Sequence, residues 1–290
     1  MVDVSIVIPA FNEENAIAAT VDTIRSALKE SPYAGAEIIV VNDGSSDRTA
    51  EIAQNLGITY VRNPHNVGYG RSLKRGIAAA QYDTILITDA DQTYPADKII
   101  PLLDMYFADG FDMVVGQRTG DHYHESSLKS PLRKILRFLV EYTSGRSIPD
   151  INSGMRVFSK RVVVEHFPRL CDTFSFTTSM TLAYMMTGRF VAYMPIPYDE
   201  RIGQSKVRLF RDSLRTLQYI IEAATYYNPL KIFILQAALL VVLGTFCFLL
   251  AIIFQLNVAY IMGVGSWISS IFVFCFGLLA VLLKQIMKQK

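Results

Sequence analysis

The stretch Thr88-Asp89-Ala90-Asp91-Gln92-Thr93-Tyr94-Pro95 follows Tyr82-Asp83-Thr84-Ile85-Leu86-Ile87, an apolar, β-branched run that reads as a buried strand. Two carboxylates separated by one residue at a strand's end point to the same side and repel each other unless a cation lies there. Hard oxygen ligands of this kind suit Mg²⁺ or Mn²⁺. An ion held by few protein oxygens completes its shell with substrate phosphates. Taken alone, an Asp-x-Asp is better explained by a solvated acidic turn before a helix starting near Pro95. The surrounding chain reverses that preference.

Upstream and downstream of this stretch, residues 4–116 alternate strand and helix. Val4–Ile8 reads as a strand, and Glu13–Leu28 as a helix with Ile17, Val21, Ile24 and Leu28 at helical spacing. Glu37–Val41 is the next strand, and the turn Asn42-Asp43-Gly44-Ser45-Ser46-Asp47 leads into a helix through Leu56 that Asp47 can cap. Ile58–Val61, Tyr69–Ala80, Thr84–Thr88, a helix from Pro95 to Phe107 and Phe111–Val115 continue the alternation. Such a pattern predicts an α/β fold, Rossmann-like, with a mostly parallel sheet and helices on both faces. Ligands of these sheets bind beyond the carboxyl ends of the strands. Ala10–Glu14, Asp43–Asp47 and Asp89–Gln92 all fall there.

The chain has 290 residues, enough for one large domain plus an appendage. Its net charge of +2 gives no global field for nucleic acid, so no nucleic-acid partner is expected. Cys171, Cys247 and Cys275 follow no metal or disulfide spacing, which fits a reduced compartment. The N-terminus lacks a basic segment followed by a long apolar run, so no cleavable signal peptide is expected.

The last sixty residues differ sharply from the rest. Ile232–Leu256 and Tyr260–Leu283 are almost free of charge, and each as a helix exceeds the roughly 30 Å of a bilayer core. The link around Asn257 is too short for a domain, so they form a transmembrane hairpin. Lys231 precedes the first span and Lys284, Lys288 and Lys290 follow the second, which places both outer ends in the cytoplasm. Ahead of the spans lie two basic amphipathic segments. One has the stripe Leu132, Ile135, Leu136, Leu139 and Val140. The other, from Val207 to about Tyr226, sets Leu209, Phe210, Leu214, Leu217 and Ile221 against Arg208, Arg211 and Arg215. Both suit helices lying at a membrane surface, and the first suits equally well a core-facing helix with a basic outer face. The expected division is 1–206 as a cytoplasmic catalytic domain, 207–230 as an interface helix and 231–290 as two spans.

In order and at family spacing, the chain carries Val7-Ile8-Pro9-Ala10-Phe11-Asn12-Glu13-Glu14, Val41-Asn42-Asp43-Gly44-Ser45-Ser46-Asp47-Arg48-Thr49 and Asn66-Val67-Gly68-Tyr69-Gly70. Asp89-Ala90-Asp91, Asn152-Ser153-Gly154-Met155-Arg156 and Arg201-Ile202-Gly203-Gln204-Ser205-Lys206 complete the set. In these segments the sequence resembles family 2 glycosyltransferases of the GT-A fold, in the branch of dolichyl- and polyprenyl-phosphate sugar synthases. The resemblance implies nucleotide contacts from Pro9, Ala10, Asn12, Glu13, Glu14, Asp43, Gly68, Asp89 and Ala90. It implies a Mg²⁺ or Mn²⁺ ion on Asp89 and Asp91, where a Lewis acid neutralises charge building on the departing nucleotide. In this branch a glutamine commonly stands two residues beyond the second Asp. Here Gln92 and Thr93 fill the two places, so the third metal oxygen comes from Gln92, from Thr93 or from water.

A second departure concerns the acceptor. Relatives that activate a hydroxyl place a carboxylate where this chain has Ser179, within Phe176-Thr177-Thr178-Ser179-Met180. A lipid phosphate needs no such base, because its second pKa lies near 6. Arg118, Arg133, Arg201, Ser205 and Lys206 are the candidates to hold that phosphate, with Arg201 also catalytic. The resemblance thus implies an inverting transfer of a hexose to a polyprenyl phosphate at the cytoplasmic leaflet of the inner membrane. UDP-glucose is the first choice of donor and GDP-mannose the second. A homo-oligomer, with a flippase downstream, is expected. A processive polysaccharide synthase is the nearest alternative, but its Gln-x-x-Arg-Trp motif is absent and the only tryptophan is Trp267, within the second span. The other alternative is a non-catalytic, nucleotide-sugar-binding membrane scaffold.

Overall fold

The computed structural model describes residues 2–120, 130–199 and 209–288, with the side chains of 130–136, 209–213, 215 and 288 outside the description. The chain divides into two compact units, Met1–Phe138 with Arg146–Tyr219, and Leu139–Gly145 with Ile220–Lys290.

The first unit is built on a seven-stranded sheet: β1 (Val4–Ala10), β2 (Glu37–Asn42), β3 (Thr59–Arg62), β4 (Thr84–Ile87), β5 (Met113–Thr119), β6 (Arg156–Ser159) and β7 (Val191–Pro197). The order is β3-β2-β1-β4-β6-β5-β7. Strands β3, β2, β1 and β4 pair in parallel, β6 runs antiparallel to both β4 and β5, and β7 is parallel to β5. The mostly parallel sheet is therefore as the sequence predicts. The reversed β6, with its start at the strands' carboxyl edge, is the feature that periodicity alone did not reveal.

Both faces are covered, which is why β1 and β2 are near-continuous apolar runs. On one face Val4, Ile6 and Ile8 join Ile17, Val21, Ile24 and Leu28 of α1 (Ile17–Leu28), Ala53 of α2 (Thr49–Gln54), and Ile99, Leu102 and Leu103 of α4 (Ile99–Asp109) in one core. On the other lies α3 (Tyr69–Ala79), so close that a Cβ on Gly76 would stand 2.4 Å from Val7 and 2.7 Å from Val41. Helices α6 (Lys160–His166) and α7 (Phe176–Met186) share that face with α3. Helix α1 starts four residues later than its periodicity predicts, because Glu13 and Glu14 are drawn into loop contacts described below.

In the second unit, α9 (Pro229–Phe254) and α10 (Asn257–Lys288) form the apolar hairpin. Their mean hydropathies are 2.9 and 2.3, and only about a tenth of each apolar window is buried, so these are not core helices of a soluble domain. Gly244 lets them approach, since a Cβ there would stand 2.2 Å from Trp267. Lys231 Nζ donates to the carbonyls of Tyr142 and Thr143 at the end of α5 (Ser130–Ser144), and Lys284 Nζ to that of Tyr227 at the end of α8 (Leu209–Tyr227). Cations there satisfy carbonyls that a helix end leaves open.

Candidate active site

Because β1–β5 share a direction apart from the reversed β6, the loops after β1, β2 and β4 and the end of β5 emerge on one edge. Pro9 and Ala10 end β1, and the turn after them is laced onto the turn after β2. Asn12 N–H donates to Ser45 Oγ at 2.9 Å and Asn12 Oδ1 accepts from Ser46 N–H at 2.8 Å. Glu13 N–H donates to Thr49 Oγ1, Glu14 N–H to Asp47 Oδ2, and Glu14 Oε2 accepts from Arg48 N–H. Burial pushes the Asp47 carboxyl up, but hydrogen bonds from Thr49 and the Glu14 N–H outweigh it and hold the group low. Asn12 has φ +54°, the left-handed region that asparagine tolerates better than most residues.

Asp43, 4% exposed, accepts from Asn63 Nδ2 and Val67 N–H on Oδ1, and from Gly68 N–H on Oδ2. It thus pins the loop before α3. Gly68 takes φ +103° there, with a Cβ position only 2.6 Å from the Asp172 carbonyl, so glycine is required on both counts. Any contact of Asp43 with a nucleotide is additional to this bracing.

The acidic turn follows β4. Asp89 Oδ1 accepts from the Tyr69 hydroxyl at 3.0 Å. Desolvation, and after it the Asp89 charge, push that hydroxyl well above the usual phenol range, so it stays a donor. A Cβ on Gly154 would lie 2.7 Å from Asp89 Oδ2 and 2.9 Å from Oδ1, so the carboxylate occupies a cradle that any other residue would fill. Asp91, 4% exposed, accepts on Oδ1 from the Thr93 hydroxyl at 2.7 Å. Thr93 is therefore Asp91's orienting partner. Gln92 takes φ +61° and lines a cavity of about 200 Å³ with Thr20, Thr88, Tyr94 and Asp199. Strained backbone at this turn accords with its being a functional site. Ala90 offers its carbonyl to Thr20 Oγ1 at 2.8 Å.

Among the described residues no group of three or more His, Cys, Asp or Glu is arranged to hold a metal. The donor set is two carboxylates, all oxygen, one seated in the Gly154 cradle and one oriented by Thr93. That set fits a hard divalent cation sharing its shell with substrate oxygens.

Arg118 stands beside this edge as expected, 5.3 Å from the Tyr198 ring, which packs edge-on against Tyr94. Its fork, however, is turned onto Asp150: Nε–Oδ2 is 2.7 Å and Nη2–Oδ1 2.8 Å, with the backbone N–H also on Oδ2. Any contact of Arg118 with an acceptor phosphate is additional to this ion pair. Arg201, Ser205 and Lys206 lie outside the described residues, as does the side chain of Arg133.

Ser179 is 3% exposed, donating to the Phe176 carbonyl at 2.9 Å and accepting from Cys171 N–H at 3.0 Å. It ties α7 to the preceding loop. Sequence reasoning missed Tyr69, Tyr94 and Asp150, although the first two stand inside quoted motifs, since a tyrosine in an apolar context reads as core.

The fold is shared with glucosyl-3-phosphoglycerate synthase from Mycobacterium tuberculosis, solved with Mn²⁺, UDP and glucosyl-3-phosphoglycerate: TM-score 0.62, 20% identity, over 77% of this chain and 80% of that one. By sequence the chain is 29% identical to the dolichyl-phosphate hexose transferase of Haloferax volcanii, over 72% of its own length and 88% of the relative's. It is also 29% identical to the dolichyl-phosphate beta-glucosyltransferase ALG5C of Trichomonas vaginalis, over 70% of its length and 65% of that protein's. The model of glycosyl transferase family 2 matches residues 5–167, and with the GT-A architecture and the strand-edge loops of that family in place, the chain belongs to glycosyl transferase family 2.

Proposed function

We propose that the protein transfers a hexose from a nucleotide sugar to a polyprenyl phosphate, with inversion at the anomeric carbon. The observation that carries this is the pairing of Asp89, held by Tyr69 in the Gly154 cradle, with Asp91, oriented by Thr93, on the edge where the laced loops 10–14 and 43–49 also emerge. Two relatives with lipid-phosphate acceptors in their names support the acceptor class. The glucosyl group in the second name supports glucose as the sugar, and the proposed donor is UDP-glucose first and GDP-mannose next.

In this reading Pro9–Glu14, Asp43 and Gly68 receive the base and ribose, and Asp89 and Asp91, with Gln92, would hold Mg²⁺ or Mn²⁺. When bound, the ion supplies Lewis-acid stabilisation of charge on the departing nucleoside diphosphate. An oxygen of the acceptor phosphate forms the bond to the anomeric carbon as the bond to the donor's β-phosphate oxygen breaks, and the nucleoside diphosphate leaves. No proton has to be removed from the nucleophile at neutral pH. That accords with a Ser179 whose hydroxyl is engaged within α7. Arg201, Lys206, Ser205 and Arg133 position the acceptor phosphate, while Arg118 braces the loop that carries Asp150.

Residues 1–206 act as the catalytic domain, 207–230 as the interface helix and 231–290 as the anchor, with the catalytic side cytoplasmic by the lysine flanks. The test is transfer of labelled sugar by the full chain in vesicles, with Mg²⁺ and a panel of nucleotide sugars, to polyprenyl phosphate against free polyprenol. Lipid-extractable product from the phosphate alone is expected. Equal use of the alcohol overturns the mechanism, and undiminished turnover in EDTA overturns the metal assignment.

A further inference from the structure

Arg156 is the largest fully buried side chain among the described residues, at 0% exposure. A guanidinium removed from water ordinarily takes a carboxylate with it. Here no carboxylate of the described residues pairs with it. Its donors go to neutral oxygens instead. Nε and Nη2 both reach the Ser153 carbonyl, at 3.1 and 2.6 Å, and Nη1 reaches the Thr177 carbonyl and Thr181 Oγ1, each at 3.0 Å. Burial lowers its affinity for the proton, yet an arginine stays charged under such conditions. Replacing buried ionic groups by apolar ones of similar volume is often neutral or stabilising, so stability alone gives a weak reason for this cation.

The reason lies in what the Ser153 carbonyl is attached to. The same peptide unit carries the Gly154 N–H, which donates to the Tyr94 hydroxyl at 2.7 Å. One rigid plane is therefore held at its oxygen by Arg156 and at its hydrogen by Tyr94. Ser153 Oγ adds a third tie, to the Gly116 carbonyl at 2.5 Å. Gly154 is the residue whose missing Cβ seats Asp89, and Tyr94 lies three residues beyond Asp91. A cation on the carbonyl also polarises the peptide, which strengthens the N–H donor at its other end. Through Thr177 and Thr181 the same side chain reaches α7.

We propose that Arg156 is a positioning residue for the metal site: by clamping the Ser153–Gly154 peptide against Tyr94, it fixes the wall of the Asp89 cradle and registers α7 to it. The inference rests on the assignment of Asp89 and Asp91 to a divalent cation. It concerns the site's affinity for that ion, so its readout need not be turnover.

The experiment measures Mn²⁺ binding by electron paramagnetic resonance to the full-length protein in detergent, with UDP and, separately, GDP present. Wild type, Asp91→Asn, Arg156→Lys and Tyr94→Phe are compared, and thermal stability is recorded on the same samples. Lysine keeps the charge but cannot hold one carbonyl with two donors, and phenylalanine removes the acceptor at the other end of the peptide. Both are expected to weaken Mn²⁺ binding by about 10-fold or more, the scale of outer-shell effects on metal sites, beyond anything their stability change explains. Wild-type affinity in folded Arg156→Lys overturns the inference, and so does wild-type affinity in Tyr94→Phe if the arginine variant does not fold. If wild type and Asp91→Asn bind Mn²⁺ alike, the metal assignment itself falls, and the inference with it.

Discussion

Arg118 and Asp150 form a two-point ion pair, with both guanidinium contacts at 2.7–2.8 Å and the carboxylate side chain 2% exposed. Burial pushes the Asp150 carboxyl up, but the bonds and charge of Arg118 outweigh it and hold the group below its ordinary range. Removing one partner of a buried pair costs about 3–5 kcal/mol. Asp150→Asn should therefore lower the melting temperature of the catalytic unit by at least about 6 °C. Because the folded-state value is depressed, the stabilisation is complete above the unfolded value of about 4 and is lost as pH falls through the folded one. Acid titration of thermal stability should show that limb in wild type and a weaker one in the variant. An unchanged melting temperature and acid limb would remove the bracing role.

Thr93 meets Asp91 Oδ1 with its hydroxyl at 2.7 Å and, more weakly, with its backbone N–H at 3.3 Å, and the hydroxyl is the donor a side-chain change can remove. Thr93→Val keeps the shape and removes the donor. Metal affinity in the presence of nucleoside diphosphate should fall about 10–100-fold, with a small effect on the fold. Mn²⁺ titration reads it directly, and wild-type affinity would show that Asp91 needs no orienting partner.

The Gly154 cradle makes a steric prediction. In Gly154→Ala the new methyl would lie within 3.0 Å of three atoms of the Asp89 carboxylate, closer than real Cβ contacts. Asp89 must turn away from Tyr69, so metal-dependent transfer should drop at least about 100-fold, the cost expected when a positioned group moves by about 1 Å. Full activity in this variant would mean that Asp89 tolerates displacement and is not a ligand.

Ser179→Ala separates structure from chemistry. It leaves the buried Cys171 N–H without its acceptor, which costs about 1–3 kcal/mol of stability. Turnover per folded molecule should be unchanged, because the acceptor phosphate is its own nucleophile. A large loss of turnover at full stability would reinstate a protein group on the proton's path.

The strand–helix alternation over residues 4–116, the apolar hairpin and the Asp-Ala-Asp turn were all legible in the sequence, because each is written in local periodicity or in adjacent residues. Side-chain period and span length are properties of neighbouring positions, so no tertiary information is needed to read them. Tertiary structure alone decided that β6 inserts antiparallel between β4 and β5 and brings Gly154, some sixty residues downstream, against Asp89. It decided equally that Arg118 spends its fork on Asp150, that Tyr69 rather than a second carboxylate holds Asp89, and that Ser179 is buried. Composition names which groups can donate and accept. Which donor meets which acceptor depends on how a sheet orders its strands, and the free energy that sets that order is summed over the whole core rather than held in any one motif.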